Sequence, residues 1–570
     1  GATSAIVSGL TNGIEYYFAV VAFDSDEETA TGSTLFSATP SQSITLVPLY
    51  NEATELEPAT TIDHEDALIT YVGDRGRARH AKEGGTNFQL YDIYKEFYWM
   101  GRSYYLEIID RVAKGGNSIT INSTTTHPLA TSETRAFYIG GTTLAQYAHN
   151  DDAQDGHRDV YGNLKSPIEP MTYTSTVSFN AKEGRPIQIG DRMEIEFSPF
   201  MAGLPAGNAD SNYQSGGQTN YYGTGFLYIV GEGLKPWYGV GSNLDSYPLP
   251  EYAWLGGKTT HHTQYSNEPD HAYKQMAYNL APINTQKFML GRRLHHTNFQ
   301  NGTHSEPNNP IFPKHRYKVG PQFINNSCVA CHTNNGRAIP SNVGSAMRKS
   351  IVRVGLDSEA TIHPTLGTVL QVQATSGSPE KTVSRTAYTE IPGSYGDGTP
   401  YTLRKPNYSF SGTDPEYYSV RIAPQLVGLG LLEAIDENTI VSFSDPSDLD
   451  QDGISGKINA LTDLETGETR LGRFGYKASK ARLAHHIASA LNTDMGITTS
   501  LYPTIDHKNK SSSQEINDEE LDLMYRYVAL LAFMPQRNFN NSKVLQGKTL
   551  FAQANCVACH KDEIQTSDYH

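Results

Sequence analysis

Residues 328–332 read Cys-Val-Ala-Cys-His, and residues 556–560 repeat the same five residues. The chain of 570 residues contains four cysteines, and all four lie in these two segments. In a Cys-x-x-Cys-His segment the thiols can add to the vinyl groups of a haem while the histidine binds its iron. The sequence therefore predicts two covalently bound c-type haems, attached through Cys328, Cys331, His332, Cys556, Cys559 and His560.

Two other uses of paired cysteines compete with haem attachment. The two pairs could form one zinc site with four thiolates, or each pair could act as a redox dithiol or join a disulfide framework. Zinc sites place their pairs within roughly 15–20 residues of each other, whereas here most of a domain separates them. Neither alternative explains the histidine after each pair, so haem attachment is favoured.

Length and charge narrow the class of protein. At the usual ~100–200 residues per domain, the chain should contain several domains. A formal net charge of -16 argues against nucleic acid as a partner, because phosphate binding requires clustered Lys and Arg. No apolar run reaches the roughly 18 residues of a membrane span. We expect small molecules, sugars or another redox protein as partners.

The two ends of the sequence and the haem motifs lead to expectations about a leader peptide, the cellular location and the second cytochrome domain. It begins at Gly1 without a signal peptide, so we expect a leader to have been removed or to lie outside it. Covalent haem attachment takes place outside the bacterial cytoplasm, which predicts a periplasmic or extracellular (secreted) protein. Ten residues follow His560, too few to complete a second cytochrome domain, so we expect that domain to be truncated.

Residues 1–284 have the pattern of an all-β half. Strands are predicted at 5–7 and 15–23, with a turn at 9–13; residues 1–40 resemble the last strands of a fibronectin type III module. Residues 41–60 suit a linker. From 61 to 284, short alternating runs such as 104–109 and 191–197 predict a β-sandwich-like accessory domain. Its aromatic residues could form a sugar-binding face, although core packing is their commoner use.

Helical patterns occur in the second half. Asn517 to Glu520 open a predicted helix whose apolar residues recur at three- and four-residue steps, and residues 547–551 form a helix that leads to Cys556. We predict a first haem domain over 285–510 and the start of a second cytochrome c domain over 511–570. The fold class is multidomain, with an all-β N-terminal half and a mainly α, cytochrome c-like C-terminal half with long loops.

Five segments after residue 285 carry a family resemblance. They are Gly320-Pro-Gln-Phe-Ile-Asn-Asn-Ser-Cys328 with Asn335-Gly-Arg337, Arg421-Ile-Ala-Pro-Gln-Leu-Val-Gly-Leu-Gly-Leu-Leu-Glu-Ala-Ile435, Asp452-Gly-Ile-Ser-Gly456, Gly472-Arg-Phe-Gly-Tyr-Lys-Ala478 and Asp494-Met-Gly-Ile-Thr498. In these segments the chain resembles the di-haem oxidoreductase family, which is related to bacterial di-haem cytochrome c peroxidases and MauG-type enzymes. The resemblance implies one reactive haem and one haem that relays electrons.

The resemblance also implies catalytic residues. A carboxylate near the active haem handles protons during O–O cleavage in the relatives, and Glu433 is the acid in the apolar segment 429–435. The alternative is an acid whose charge favours a helix dipole. Gln425 could orient peroxide and Arg421 could bind a propionate. The family usually has Trp where Tyr476 stands, so any role of that indole must pass to a phenol or be absent.

The ligand on the far side of each iron separates catalysis from electron transfer. His485, His486 and Met495 are candidate distal ligands because they lie within the family segments. Further histidines could serve, although each is more often a surface or core residue: His295, His296, His304 and His363.

An acidic loop is a candidate calcium site. Asp448, Asp450 and Asp452 alternate and precede Gly453, as in calcium-binding loops. The twelfth position is Asn459 rather than Glu, which argues against a full EF-hand. A solvated acidic turn is the alternative.

Three functions remain open at this point. The first is a peroxide-using di-haem oxidoreductase, and the second is an electron-transfer cytochrome tethered to an extracellular surface through its β modules. An oxygenase similar to di-haem polymer-cleaving dioxygenases is a weaker third. The spin state of the ferric haems would separate the first two, since an open iron site is high-spin and six-coordinate irons with two protein ligands are not.

Overall fold

The structure, a computed structural model, describes residues 16–20, 34–38, 56, 60–74, 104–125, 129–138, 148–150, 171–180, 183–201, 224–238, 247–260, 272–281, 284–306, 309–357, 361–505 and 514–566. The chain forms two compact units. One comprises residues 1–48 and 436–482, and the other comprises residues 49–435 and 483–570.

The strands and helices have the following bounds. The strands are β1 (Tyr16–Val20), β2 (Thr34–Ala38), β3 (Thr60–Asp63), β4 (Leu68–Asp74), β5 (Tyr104–Asp110), β6 (Ile119–Thr125), β7 (Leu129–Tyr138), β8 (Ala148–Asn150), β9 (Met171–Val177), β10 (Phe179–Asn180), β11 (Arg185–Pro186), β12 (Arg192–Met201), β13 (Thr224–Ile229), β14 (Gly233–Lys235), β15 (Trp237–Tyr238), β16 (Tyr247–Pro248), β17 (Gln322–Phe323), β18 (Ser350–Gly355), β19 (Gln373–Ala374), β20 (Val383–Ser394), β21 (Pro400–Phe410), β22 (Tyr417–Ile422), β23 (Ala460–Thr462) and β24 (Thr469–Leu471). The α-helices are α1 (Thr285–His295), α2 (Cys328–Cys331), α3 (Leu429–Ala434), α4 (Glu437–Ser442), α5 (Leu483–Met495), α6 (Asp518–Ala529) and α7 (Ser542–Gln553).

Two five-stranded antiparallel sheets dominate the described N-terminal half, in the orders β3-β4-β5-β6-β9 and β14-β13-β12-β7-β8. Alternate residues of a strand point to one face, so Leu106 and Ile108 of β5 lie in one buried cluster with Met193 and Ile195 of β12. The two sheets therefore share a core, as in a sandwich. The predicted strands at 104–109 and 191–197 and the β-rich N-terminal half are confirmed.

The extreme N-terminal prediction is tested only in part. β1 and β2 pair antiparallel, with Tyr16 opposite Ala38. The predicted strand at 5–7 and the turn at 9–13 lie outside the described residues, as does the linker over 41–60 apart from Leu56 and Thr60. The fibronectin type III resemblance remains a prediction.

The C-terminal half contains the predicted helices together with strands that the sequence did not indicate. α6 and α7 lie where the helical patterns predicted them. A long antiparallel hairpin, β20 with β21, and the pair β18 with β22 lie between them and the first haem motif. Most side chains of β20 are exposed, so the apolar alternation that announces a half-buried strand is missing there.

Helix α6 is the central element of the C-terminal part of the larger unit. Asn517 accepts a hydrogen bond from the Glu520 amide, and the Glu520 carboxylate accepts one from the Asn517 amide, which closes a capping box at the start of the helix. Leu521 and Met524 pack in a buried cluster with Leu491 of α5. The backbone N–H groups at the start of a helix have no partner within the helix. Here the capping box supplies hydrogen bonds at this end, so the helix begins at the predicted residue.

Two glycines bring other helices into direct contact with the α6 backbone. A Cβ atom at Gly291 of α1 would lie 1.9 Å from the Leu523 carbonyl oxygen, and one at Gly430 of α3 would lie 2.0 Å from the Ala529 carbonyl oxygen. Neither position tolerates a side chain at the present helix separation. The close approach of α1 and α6 places the rings of His295 and Tyr527 with centroids 5.1 Å apart.

Gly291→Ala should therefore destabilise the protein although alanine favours helices. The new methyl group must push α1 away from α6, and overpacking of this kind costs about 1–3 kcal/mol. Gly547→Ala is the matched control: Gly547 also lies in a helix, and nothing lies within 4 Å of an added Cβ there. Denaturant unfolding of both variants checks this, and equal stabilities would contradict the close packing at Gly291.

The smaller unit has its own buried charges over residues 436–482. Asp463 is almost fully buried, and its carboxylate lies 3.1 Å from Arg470 Nε and 2.9 Å from Arg482 Nε. The strands β23 and β24 pair antiparallel beside it. Two guanidinium groups compensate the desolvation of this carboxylate.

Candidate functional site

Both Cys-x-x-Cys-His motifs have the same backbone turn. The His332 amide donates to the Cys328 carbonyl, and the His560 amide donates to the Cys556 carbonyl, each at 2.9 Å. Residues four apart in a helical turn lie on one face. Each motif therefore presents its first cysteine and its histidine on the same side, as attachment of a planar group requires.

The imidazole of His332 is oriented by a backbone carbonyl. Its Nδ1 lies 2.7 Å from the Pro424 carbonyl oxygen, which can only accept, so Nδ1 carries the proton. A metal-bound histidine is typically held in this way through its second nitrogen. Burial lowers the pKa of His332, so the ring is neutral and its Nε2 lone pair is available to an iron ion.

The thiols of the first motif lie in a setting that disfavours their charged form. Burial raises the pKa of Cys328 to about 12, with a further contribution from Cys331, whose own pKa burial also raises to about 12. A zinc site needs thiolates, whereas a haem thioether is neutral. The surroundings of these sulfur atoms therefore fit haem attachment better than zinc.

The second motif is open to solvent in comparison. Cys556 is half-buried, while Cys559 and His560 are exposed. The His560 ring makes an edge contact with Phe551 of α7, at a centroid distance of 5.7 Å. Asn555 has a φ of 57°, a left-handed conformation that Asn tolerates better than most residues, and it connects α7 to the motif.

A buried polar cluster lies beside the first motif, between the end of α1 and α6. We call it the Tyr527 cluster, and its members are His295, His296, Glu306, Asn335 and Tyr527, each at most 4% exposed. Asn335 connects it to the haem motif, because the Asn335 backbone amide donates to the His332 carbonyl at 2.9 Å. Most polar groups this deeply buried are hydrogen-bonded within the protein, so the partners of these side chains determine how the cluster is arranged.

The hydroxyl group of Tyr527 is at the centre of this cluster. Asn335 Nδ2 donates to it at 2.8 Å and also donates to the Tyr273 carbonyl at 2.9 Å, which fixes the orientation of the amide. His296 Nε2 lies 3.3 Å from the hydroxyl on another side. Asn335 has a φ of 60°, a left-handed conformation that brings its side chain back towards α6.

Glu306 is the acid of the cluster. Arg292 Nη2 lies 2.5 Å and Lys274 Nζ 3.6 Å from its Oε1, and His296 Nδ1 lies 3.7 Å away. Burial alone would raise the pKa of Glu306, but the Arg292 guanidinium leads the charges that hold it well below its ordinary value. Glu306, His296 and His304 have metal-binding spacing, yet the two cations on the same carboxylate disfavour a metal ion there.

His295 is a titratable side chain of the cluster with a buried ring nitrogen that has no hydrogen-bond partner. It is 3% exposed and its Nδ1 has no hydrogen-bond partner. Burial lowers the pKa of His295 to about 3, with a contribution from the nearby His332. An unsatisfied buried nitrogen is costly, and a propionate of a haem beside the first motif, or a ligand on its iron, would supply the missing hydrogen-bond partner. The residues present thus fit a haem at Cys328.

The predicted distal ligands differ in burial and in what their side chains contact. His485 is buried and His486 half-buried on α5. Met495, at the end of the same helix, is buried in the cluster against which Cys328 packs. His363 instead accepts hydrogen bonds from the amides of Thr365 and Leu366 within a local turn.

Glu433 caps a helix other than its own. It is 7% exposed near the end of α3, and its Oε1 accepts a hydrogen bond of 3.0 Å from the amide of Leu483, the first residue of α5. A carboxylate is favoured at a helix N-terminus by the helix dipole. Glu433 therefore has a structural role at the start of α5, whereas the alternative drawn from the sequence concerned the dipole of its own helix.

The remaining predicted catalytic residues lie nearer to solvent. Arg421 is half-buried in β22, with Nε 3.4 Å from Ser419 Oγ, and Gln425 is exposed. Tyr476 belongs to the smaller unit and is 65% exposed.

The acidic loop gathers a somewhat different set of carboxylates from the predicted one. Oxygen atoms of Asp445, Asp448 and Asp450 lie within 4.8 Å of one another, whereas Asp452 is not in this group. Asp445 also accepts from the Leu449 amide at 2.7 Å, and such backbone hydrogen bonds lower its pKa. Gly453 has a φ of 82°, which explains the glycine at the turn.

Several residues of the site gave no functional signal in the sequence. Tyr527 and Glu306 were not candidates, because one is an aromatic residue on the apolar stripe of a helix and the other lies in an irregular segment. One feature of the sequence did point to this site: His295 and His296 are adjacent at the end of α1. Both polar rings are buried in the structure. Their partners are distant in sequence and become neighbours only through folding.

One comparison with known proteins gives a match. Residues 388–508, about a fifth of the chain, match the model of the family described as "Di-haem oxidoreductase, putative peroxidase". This supports the family resemblance, since four of its five segments lie in the matched region, and it supports haem as the cofactor and an oxidoreductase activity. No match was found among curated proteins or among solved structures. Within the described residues, no helix has the length and apolarity needed to cross a membrane.

Proposed function

We propose that the protein is a c-type di-haem oxidoreductase that reduces peroxides, with the reactive haem at Cys328, Cys331 and His332. The observation that carries this proposal is the geometry of His332, whose Nδ1 is fixed by the Pro424 carbonyl at 2.7 Å beside a buried acid–base cluster. An electron carrier does not need such a cluster, whereas peroxide cleavage needs groups that move protons. The family match at 388–508 supports the same class of reaction.

The haem would supply a redox-active iron, and the chain supplies its surroundings. His332 would bind the iron through Nε2, and His295, whose pKa the nearby His332 helps to lower, offers a buried neutral imidazole beside the motif. The second haem, at Cys556, Cys559 and His560, takes the role of the electron-relaying haem that the family resemblance implies. Glu433 is the proposed proton-transfer carboxylate, with Gln425, Arg421 and Tyr476 in the supporting roles that the resemblance implies.

Mixing the ferric holoprotein with hydrogen peroxide tests the reaction. We expect a rapid change in the Soret band and oxidation of an added electron donor. Cyanide binding to the ferric protein provides the control that an iron coordination position is open. An unchanged Soret band over the time in which cyanide binds would reject peroxide reduction.

An electron-transfer cytochrome is the second candidate, and one observation favours it. Met495 is buried in the cluster against which Cys328 packs, so a haem there could be held by His332 and Met495 together, the arrangement of an electron carrier. A ferric spectrum with two low-spin irons and no cyanide binding would select this function. Met495→Ala would then convert one haem to the high-spin form.

We also propose a location and a surface partner. Covalent haem attachment supports a periplasmic or secreted protein. Tyr71 and Tyr105, each 42% exposed, lie on the same face of neighbouring strands, because Tyr105 is opposite Gly73, two residues from Tyr71. Two exposed phenol rings on one sheet face are suited to stack on a sugar, and loss of polysaccharide pull-down in the Tyr71→Ala/Tyr105→Ala variant would support it.

Calcium binding by the acidic loop is a further proposal. Asp445, Asp448 and Asp450 offer converging oxygen atoms, the ligands that calcium prefers. Calcium added to chelator-treated protein should raise its melting temperature, since an ion that binds only the folded state stabilises it by mass action. Asp450→Ala should abolish this increase and Asp452→Ala should largely keep it. A melting temperature indifferent to calcium would leave the loop as a solvated turn.

A further inference from the structure

Tyr527 and His296 form a hydrogen-bonded pair with a defined direction. Asn335 Nδ2 can only donate, and it donates to the Tyr527 oxygen at 2.8 Å. The hydroxyl hydrogen of Tyr527 is therefore left for His296 Nε2, at 3.3 Å. His296 Nδ1 lies 2.8 Å from Ser305 Oγ, so the neutral ring can donate from Nδ1 and accept at Nε2.

The surroundings determine which of the two residues, Tyr527 or His296, holds the shared proton. Burial lowers the pKa of His296 well below its ordinary value and raises the pKa of Tyr527, so both groups are neutral at neutral pH. Glu306 Oε1 lies 3.7 Å from His296 Nδ1, and its negative charge favours a positive imidazole, whereas the charges of Arg292 and Lys274 oppose one. His296 Nε2 is thus the hydrogen-bonded acceptor to which the phenol proton can move when Tyr527 loses an electron, rather than a group that is protonated at rest.

The pair also lies next to the first haem motif. Asn335 donates to Tyr527 through its side chain and to the His332 carbonyl through its backbone amide, at 2.9 Å. Two consecutive hydrogen bonds therefore connect the phenol to the residue that binds the iron. A fully buried tyrosine whose phenolate is disfavoured can be oxidised readily only if its proton has an acceptor within hydrogen-bond reach.

We propose that Tyr527 donates an electron to the haem at Cys328, while its hydroxyl proton moves to His296 Nε2. This inference rests on the proposed peroxide reaction, which supplies the oxidant. The O–H bond of Tyr527 breaks and an N–H bond forms on His296, leaving a neutral phenoxyl radical and an imidazolium. Reduction of one hydrogen peroxide to two waters takes two electrons and two protons. Tyr527 supplies one electron, the other haem supplies the second, and both protons are taken up from solvent, since the Tyr527 proton stays on His296.

Rapid freezing of the ferric holoprotein after mixing with peroxide, followed by electron paramagnetic resonance, tests this. We expect an organic radical signal that narrows when the protein contains ring-deuterated tyrosine. Tyr527→Phe should lose the tyrosine signal, while binding of cyanide to its ferric haem shows that the haem and its open position are retained. Tyr525→Phe is the matched control, since Tyr525 is buried in the same helix, and it should keep the signal at full yield.

His296→Gln separates proton acceptance from hydrogen bonding. Glutamine can accept a hydrogen bond from Tyr527 but is not basic, so we expect the radical yield to fall towards background while haem content stays unchanged.

Two results would overturn this inference and leave the proposed peroxide reaction intact. The first is a normal Soret change without a tyrosine radical in the unaltered protein, and the second is full radical yield in Tyr527→Phe. Absence of any Soret change would overturn it together with the peroxide reaction. If Tyr527→Phe does not fold, the deuterated unaltered protein and His296→Gln still decide between these outcomes.

Discussion

The Cys328→Ser/Cys331→Ser variant is expected to carry one covalent haem per chain, whereas the unaltered chain, with two Cys-x-x-Cys-His motifs, is expected to carry two. Serine cannot form the thioether bonds, so the first motif loses its haem while the second keeps its own. The pyridine haemochrome spectrum, divided by protein concentration, measures the loss. The protein must come from cells competent in haem attachment.

The matched variant is Cys556→Ser/Cys559→Ser, which should also carry one haem. The two variants should differ in stability, because Cys328 packs against the buried cluster of α5 and α6 whereas Cys559 is exposed. We expect the first variant to show the larger decrease in melting temperature. Cys559→Ser alone should lose its haem or hold it by one thioether. Fewer than two haems in the unaltered chain would contradict attachment at both motifs.

Glu433→Gln is expected to lower the rate of peroxide-driven oxidation by roughly 10²–10⁴-fold, the usual size of an acid–base contribution. Glutamine keeps an oxygen that can accept the Leu483 amide, so the start of α5 stays capped. Haem content, melting temperature and cyanide binding should therefore stay close to those of the unaltered protein. Stopped-flow measurement of the Soret change gives the rate.

Two further variants separate catalysis from capping at Glu433. Glu433→Ala removes the acceptor and leaves the Leu483 amide unsatisfied, which should cost about 1–3 kcal/mol of stability. Glu437→Gln replaces another buried carboxylate, one that the resemblance does not implicate, and should keep the rate. Equal rates in Glu433→Gln and the unaltered protein would limit Glu433 to capping α5.

The elements with strong local signals could be predicted from the sequence. The start of α6 follows from Asn517 and Glu520, whose reciprocal hydrogen bonds depend only on residues three apart. The sandwich strands follow from alternation, because one face of β5 packs on the core. The hairpin of β20 and β21 could not be predicted in the same way, since most of its side chains are exposed and neither strand has a continuous buried face.

The same distinction applies to the candidate site. The attachment residues of both motifs are adjacent in sequence and their chemistry determines their spacing. The Tyr527 cluster gathers residues from 295 to 527 by tertiary packing, and no short pattern encodes that. Likewise, the contact of Glu433 with Leu483 joins α3 to α5 across 50 residues, so its capping role became visible only in three dimensions.

The glycine contacts on α6 have a consequence for motion within the site. Where Gly291 meets the Leu523 carbonyl directly, no layer of side chains separates the two helices that could change rotamer or be compressed. The spacing of α1 and α6 is then set by stiff backbone atoms. The rings of His295 and Tyr527, each about one turn beyond this contact, should keep their separation through thermal fluctuations that would blur a looser helix pair. The rates of short-range proton and electron transfer depend steeply on distance. A rigid backbone contact between α1 and α6 would therefore keep these rates uniform from one molecule to the next.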